Sequence, residues 1–303
     1  MALVREAAGR RAGMNLKGGI RMNLVSMRVG CIVAVLSCIV LFGSTARADW
    51  VEIQKDYELY GHVWNTDDGT GTGNGVSCCC PTATINSFRY LEQKYPFLYD
   101  TNLTKGDIVG ARDDLAYGWA ERAGSGMGCP SSYKDIWQNK LWYIEDFAPN
   151  TTVFSGMVNT NTAGWYRAED LVIGYPTWSY MWEELGKCED VEIGIQPVVT
   201  GDGHCLTLTS LKFSDDNDNG VWDTTEARKI DYLDPNNPTQ LFEADLSVGA
   251  GGRLEFTWHN GGYNGPQLVY IDLAYAESPI PEPGMFLMLG MGILGLLFRR
   301  RKA

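Results

Sequence analysis

The sequence predicts an α+β fold, with helices in the first half of the mature chain and antiparallel strands in the second half. Three observations support this prediction. Residues 81–95 form an uninterrupted helical pattern that begins at Pro81 and stops before Pro96. After Val191, apolar and polar residues alternate with the period of a strand. The chain is also rich in aromatic residues, at 12%, which is typical of a packed globule rather than a disordered chain.

The further elements follow from the same periodicities. Residues 105–122 are predicted to be helical, with Ile108, Leu115 and Trp119 on one face. A helix is also predicted from Tyr133 to Phe147, and residues 168–185 are predicted to be helical in parts, with a break at Pro176. Strands are predicted at 191–195, 206–209, 253–256 and 268–271. Residues 278–283 are predicted to form a linker.

The first 48 residues have the pattern of a secretory signal peptide preceded by an upstream extension. Arg28 precedes an apolar run from Val29 to Phe42, and an Ala-x-Ala site ends at Ala48. The run is too short for a permanent membrane span. Cleavage after Ala48 makes Asp49 the first mature residue. Met22 and Met27 are alternative starting methionines.

Residues 279–303 combine three features in a fixed order. Pro281-Glu282-Pro283 is followed by an apolar run over 284–298 and by a basic cluster at 299–302. This segment resembles the PEP-CTERM sorting tail of Gram-negative bacteria. The resemblance implies recognition by an exosortase, transient membrane anchoring, and delivery to the cell surface or extracellular matrix. The basic cluster is expected to hold the tail on the cytoplasmic side until processing. The alternative is an ordinary membrane anchor.

Residues 49–278 remain as one predicted domain, and this domain is strongly acidic. Its 35 acidic side chains outnumber 14 basic ones, so its net charge is about −21. Such a surface repels nucleic acids and anionic lipids and keeps an exported protein soluble. Nucleic acid is therefore excluded as a partner.

The cysteines of this domain form an unusual set. Removal of the leader leaves six, at positions 78, 79, 80, 129, 188 and 205. An even number in an exported protein predicts disulfides, but three adjacent cysteines do not readily pair with one another. They must bond elsewhere or stay reduced, and the sequence leaves the pairing open. A zinc site is disfavoured, because the usual two-residue spacing between paired cysteines is absent.

The triple cysteine stands at the predicted start of a helix, where the partial positive charge of the backbone stabilises a thiolate. A candidate base, His204, and a candidate carboxylate, Asp234, follow later in the chain. A cysteine, a histidine and a carboxylate in this order predict nucleophilic catalysis.

Three blocks of sequence resemble the papain-like cysteine peptidases, in particular the bacteriocin-leader-processing and immunoglobulin-degrading bacterial families. The blocks are Cys79-Cys80-Pro81-Thr82-Ala83, Gly203-His204 with the strand after it, and residues 230–236. The resemblance implies a two-lobed papain-like fold and peptide-bond hydrolysis. It selects Cys79 as nucleophile over Cys78 and Cys80, with His204 as base and Asp234 as the residue that orients it.

The chain departs from that family at the oxyanion donor. Papain-like enzymes usually carry a glutamine several residues before the nucleophile, and the nearest upstream glutamine here is the distant Gln54. Asn74, five residues before Cys79, is the candidate donor, together with the backbone N–H of Cys79.

Residues 215–226 match the calcium loop of an EF-hand. Oxygen-bearing side chains occupy loop positions 1, 3, 5, 9 and 12, and glycine occupies position 6, where the loop turns sharply. The predicted Ca²⁺ ligands are Asp215, Asn217, Asn219, the Val221 carbonyl, Asp223 and Glu226. Strands rather than helices are predicted on both sides, so the ion is expected to stabilise a hairpin. The alternative is an acidic, solvated turn.

These patterns predict a secreted, surface-sorted cysteine peptidase that acts on a peptide or protein substrate and carries structural calcium. The alternative is a catalytically inactive papain-like protein that serves as a matrix or binding protein of the cell surface.

Overall fold

The computed structural model describes residues 49–64, 79–117, 127, 132–187, 189–199, 203–259 and 265–280. Strands are the most abundant element in this part of the chain, and they belong to one nine-stranded sheet. The strands are β1 (Asp49–Gln54), β2 (Thr152–Val158), β3 (Leu171–Ile173), β4 (Asp190–Pro197), β5 (His204–Asp215), β6 (Arg228–Asp234), β7 (Asn237–Val248), β8 (Leu254–Trp258) and β9 (Gln267–Pro279). The helices are α1 (Cys79–Lys94), α2 (Pro96–Tyr99), α3 (Ile108–Tyr117), α4 (Tyr133–Phe147) and α5 (Trp178–Gly186).

Six of the strands close into an antiparallel barrel. Strands β4 to β9 pair in chain order, and β4 also pairs with β9, which completes the ring. Strand β1 pairs with the far half of β5. Strand β2 pairs with the end of β9, and the short β3 pairs with β2 in parallel.

The predicted papain-like α+β fold with two lobes is wrong, because the structure is mostly β and is built on this closed barrel. Strands from the first half of the chain, β1 and β2, add to the same sheet as the barrel strands. The helices share an apolar core with the sheet, since residues of α1 and α4 cluster with Phe154, Leu273 and Tyr275 of the strands. A second apolar cluster joins residues of the barrel strands to Trp178, Met181 and Leu185 of α5.

The local predictions agree with the structure where the sequence signal was strong. The helix predicted from Tyr133 to Phe147 has those bounds. Its start is fixed by a capping box, in which Ser132 and Asp135 bond reciprocally to each other's backbone N–H groups. Helix α1 begins at Cys79, so Pro81 is its third residue rather than its first.

The remaining helical predictions hold only in part. Helix α3 covers the centre of the helix predicted over 105–122. Within 168–185, residues 171–173 form a strand, and helix α5 begins two residues after Pro176. Three of the four strands predicted from alternation lie within longer strands of the barrel, and the fourth, at 253–256, matches β8 from residue 254 onwards, whereas β1, β2, β3 and β7 had no counterpart among the predictions. No helix in the described part of the chain is long and apolar enough to cross a membrane.

A cluster of charged residues lies between the helices and the barrel wall. Lys140 of α4 forms ion pairs with Glu192 of β4 and Glu277 of β9. The carboxylate oxygens of Asp190, Glu192 and Glu277 all lie within 4.8 Å of one another. All four side chains are buried. One ammonium group therefore faces three carboxyl groups, and removing it leaves their charges uncompensated in a medium of low dielectric.

We predict that Lys140→Ala lowers the free energy of unfolding by about 3–5 kcal/mol, because it leaves buried acids without their cation. Urea unfolding followed by circular dichroism measures this change. Lys134→Ala is the matched control, since Lys134 is an exposed lysine of the same helix. Equal stability of the two variants would contradict an essential role for the Lys140 ion pairs.

We also predict that the free energy of unfolding falls as the pH rises from about 4 towards 7. Burial, and then the charge of Glu192, raise the pKa of Asp190 to about 7 from an ordinary value of 3.8. The folded state therefore holds this proton more tightly than the unfolded state does. Its contribution is complete below about pH 4 and is lost as the pH approaches 7. Burial raises the pKa of Glu277 in the same direction.

Urea unfolding at pH 5 and at pH 8 measures this loss. Asp190→Asn removes the proton linkage and is expected to reduce the difference between the two pH values. Asp245→Asn, at an exposed acid of β7, is the control and should keep the wild-type difference. An undiminished difference in Asp190→Asn would argue against the cluster as its source.

Candidate active site

The candidate site forms where the first turn of α1 packs against the start of β5. A disulfide joins Cys80 to Cys205, with a Cα–Cα distance of 4.8 Å and a sequence separation of 125 positions. One turn further along the helix, the Thr207 hydroxyl donates a hydrogen bond to the Ala83 carbonyl at 3.0 Å. These two contacts show that α1 and β5 run in the same direction, with their first residues at the same end.

Cys79, the predicted nucleophile, is the first residue of α1 and is not part of a disulfide. Its sulfur lies 3.9 Å from the Cys80 sulfur and within 4.8 Å of the Cys205 sulfur. Its thiol therefore lies next to the strand that carries His204. The helix N-terminus, with backbone N–H groups that lack intrahelical acceptors, favours an anion at this place. Only 1% of the Cys79 surface is exposed.

His204 and Asp234, the predicted base and orienting carboxylate, are hydrogen-bonded to each other. His204 is the first residue of β5 and Asp234 the last residue of β6, and the Nε2–Oδ1 distance is 2.8 Å. The imidazole therefore donates from Nε2, which leaves the lone pair on Nδ1. A carboxylate in this position fixes both the orientation and the tautomer of the ring.

Trp258 completes this arrangement, and the sequence analysis had not identified it. Its indole Nε1–H donates to Asp234 Oδ2 at 2.8 Å, and its ring stacks on His204 with 4.8 Å between centroids. The apolar positions of the predicted strand at 253–256 alternate, so their continuation to 258 indicated an inward-facing side chain. Nothing in the local pattern indicated its partner.

The environment of Asp234 keeps it ionised. Burial acts to raise its pKa, but hydrogen bonds from His204, the Asn236 backbone N–H and Trp258 outweigh this effect, so the pKa lies below its ordinary value. The three hydrogen bonds stabilise the ionised form of this buried carboxylate and also fix the position of its side chain. The pair can therefore stabilise an imidazolium ion when His204 accepts a proton.

Some residues of the sequence analysis lie outside the described residues. Asn74, the candidate oxyanion donor, is outside them, as are Cys78, Cys129 and Cys188. A second histidine, His62, interacts through Nδ1 with the Pro238 carbonyl at 2.8 Å and packs against Tyr57.

The predicted calcium loop connects β5 to β6 and is folded around its own acidic side chains. Asp215 accepts hydrogen bonds from the backbone N–H groups of Asn219 and Gly220 at 2.9 and 2.8 Å. Glu226 accepts from the N–H groups of Asp216 and Asp223 at 3.1 and 2.9 Å. The first and last predicted ligands thus hold the loop closed from both ends.

The middle of the loop continues this pattern. The side-chain oxygens of Asn217 and Asn219 accept hydrogen bonds from the N–H groups two residues further on. Gly220, at the sharp turn, has a φ of +69°, which favours glycine. Hydrogen bonds from Thr225 hold the pKa of Asp223 below its ordinary value. Oxygen donors of this kind suit Ca²⁺.

The loop carboxylates are not among the tightest clusters of possible metal ligands. Within the described residues, two such clusters have all their ligand atoms within 4.8 Å: Asp190 with Glu192 and Glu277, and Cys79 with Cys80 and Cys205. In the first cluster, Lys140 forms ion pairs with the carboxylates. In the second, Cys80 and Cys205 are bonded to each other as a disulfide. An ion in the loop would therefore require its carboxylates to approach one another.

Comparison with known proteins identifies one segment of the chain. Residues 279–302 match the family model of the PEP-CTERM protein-sorting motif. This motif indicates export and sorting to the cell surface of a Gram-negative bacterium, and it is consistent with exosortase-mediated sorting and a C-terminal anchor. The prediction of a sorting tail is thereby confirmed. No curated protein matches the chain.

Proposed function

We propose that this surface-sorted protein is a cysteine peptidase with Cys79 as nucleophile, His204 as base and Asp234 as the residue that orients the imidazole. One observation carries the proposal: a disulfide between their immediate neighbours, Cys80 and Cys205, holds the Cys79 thiol beside the strand that begins with the His204–Asp234 pair. Burying the charge of Asp234 costs free energy even with three hydrogen-bond donors. The orientation of His204 is a function that explains why this buried carboxylate is present.

The chemistry follows from the atoms available. His204 Nδ1 accepts the Cys79 proton, and the sulfur forms a bond to the carbonyl carbon of a peptide while the carbonyl electron pair moves to oxygen. The C–N bond then breaks, and the amine leaves with the proton from His204. Water, deprotonated by His204, hydrolyses the thioester and regenerates the thiol. Asp234 stabilises the imidazolium ion in both steps.

A second function is a binding or matrix protein of the cell surface without catalysis. The specific observation in its favour is the burial of Cys79, which is 1% exposed. A nucleophile must reach its substrate, so peptidase activity requires the substrate to contact this buried sulfur at the start of α1.

We predict that iodoacetamide at pH 6 alkylates Cys79 much faster than an ordinary thiol, because His204 and the helix N-terminus stabilise the thiolate. His204→Ala is expected to lower the alkylation rate at least tenfold. Peptide mapping by mass spectrometry without reductant measures the label and also detects the Cys80–Cys205 disulfide. His259→Ala is the matched control, since the exposed His259 bonds Tyr232 only through its backbone N–H.

Equal alkylation of wild type and His204→Ala would refute the activated thiol. So would finding Cys79 in a disulfide with Cys129 or Cys188 in the mature protein, and the binding function would then be favoured.

We further propose that the loop of residues 215–226 binds Ca²⁺ through Asp215, Asn217, Asn219, the Val221 carbonyl, Asp223 and Glu226. The hydrogen bonds that hold the loop closed around these oxygens support the proposal. The ion would link the end of β5 to the start of β6, the two strands that carry His204 and Asp234. Its role is structural, since these strands pair along most of their length.

We predict that Ca²⁺ raises the thermal unfolding temperature of the wild type relative to EDTA. At a concentration one hundred times the dissociation constant, the stabilisation is about 2.7 kcal/mol. Glu226→Gln removes the last ligand charge and is expected to abolish the response, whereas the control Asp245→Asn keeps it. Differential scanning calorimetry measures both. An unchanged unfolding temperature in the wild type would show that the loop is a solvated acidic turn.

A further inference from the structure

The side chain of Gln196, near the end of β4, occupies space that is free only because residue 203 is a glycine. In the β4–β5 register, Gly194 pairs with Cys205 and Ile195 with His204, so Gln196 comes opposite Gly203. A Cβ atom at position 203 would lie 2.3 Å from the Gln196 Nε2 atom. The amide group of Gln196 therefore lies across the residue that directly precedes the candidate base.

Two further side chains fix the orientation of this amide. Gln196 Nε2 donates to the Tyr133 hydroxyl at 3.4 Å, and that hydroxyl donates to the Asp272 carboxylate. Burial and the contact with Asp272 raise the pKa of Tyr133, so Tyr133 stays protonated and presents its oxygen to Gln196 as an acceptor. An amide nitrogen carries two hydrogens. With one directed at Tyr133, the second is available for another acceptor.

The register places this amide at the same end of the sheet as the candidate nucleophile. Because α1 and β5 run in the same direction from the Cys80–Cys205 disulfide, the residues before that bond, Cys79 and Gly203, lie at one end. Alternation along the strands places Gln196 on the face of the sheet that also carries Cys205 and α1. Cys79, His204 and Gln196 thus belong to one end of the α1–β5 contact, where Cys79 and Gln196 share one face of the sheet and His204, the first residue of β5, takes the alternate strand position.

We propose that Gln196 is a catalytic residue that donates its second amide hydrogen to the acyl oxygen of the substrate. The inference rests on the proposed function, since attack by Cys79 moves an electron pair onto that oxygen. The backbone N–H groups of the first turn of α1 supply one donor, and Gln196 supplies the other. Gly203, Tyr133 and Asp272 are positioning residues for this amide.

Two probes separate this role from the reactivity of the thiol. Iodoacetamide alkylates the thiolate without forming an oxyanion, whereas p-nitrophenyl acetate acylates it through a tetrahedral oxyanion and releases p-nitrophenolate. Gln196→Ala is expected to lower the acylation rate of Cys79 about 100- to 1000-fold, the usual cost of one oxyanion donor. The alkylation rate is expected to stay at the wild-type value. Gln240→Ala, at an exposed glutamine of β7, is the matched control.

Gln196→Glu keeps the shape of the side chain but removes the N–H group, so it guards against a folding defect and should lose acylation similarly. Tyr133→Phe releases the amide and should lower acylation by a smaller factor. Wild-type acylation by both Gln196 variants, with alkylation still dependent on His204, would overturn the role of Gln196 and leave the proposed function standing. Loss of the His204 dependence would overturn the proposed function and this inference together.

Discussion

The Cys80–Cys205 disulfide is the constraint on which the candidate site depends. It ties the first turn of α1 to the start of β5 across 125 residues. In a chain-entropy account, closing a loop of this length stabilises the folded state by about 4–5 kcal/mol. Its functional consequence is positional, because the two residues adjacent to the bond are Cys79 and His204. The bond also consumes one of the three adjacent cysteines and keeps the neighbouring thiol at the helix N-terminus.

A second theme is the compensation of buried charge on the two faces of the sheet. Asp234 keeps its charge because three donors offset its burial, whereas burial and the charge of Glu192 raise the pKa of Asp190 despite the nearby Lys140. The first arrangement orients a histidine, and the second joins helix α4 to the barrel wall. Burial is common to both, and the number of nearby donors and cations decides which carboxyl group stays ionised.

Sequence periodicity predicted the elements better than their assembly. Helix α4 was predicted correctly because its capping box and apolar face are encoded within 16 residues. The papain-like fold was wrong because the barrel closes through the pairing of β4 with β9, between residues 72 to 87 positions apart. Glu192 shows the same limit: its alternation with Val191 and Ile193 indicated a solvent-facing side chain, yet helices cover that face of the sheet and bury it.

The sequence by itself determined the sorting tail, the acidic character of the domain, the order of Cys79, His204 and Asp234, and the periodicity of the main helices and strands. These properties depend on residue type and on spacing along a short segment. Only the tertiary structure decided that Cys80 rather than Cys79 pairs with Cys205, that Trp258 contacts both His204 and Asp234, and that Gln196 lies across Gly203. Each of these contacts joins segments that are distant in sequence. Strand register and barrel closure bring them together in space, and local sequence patterns do not encode either.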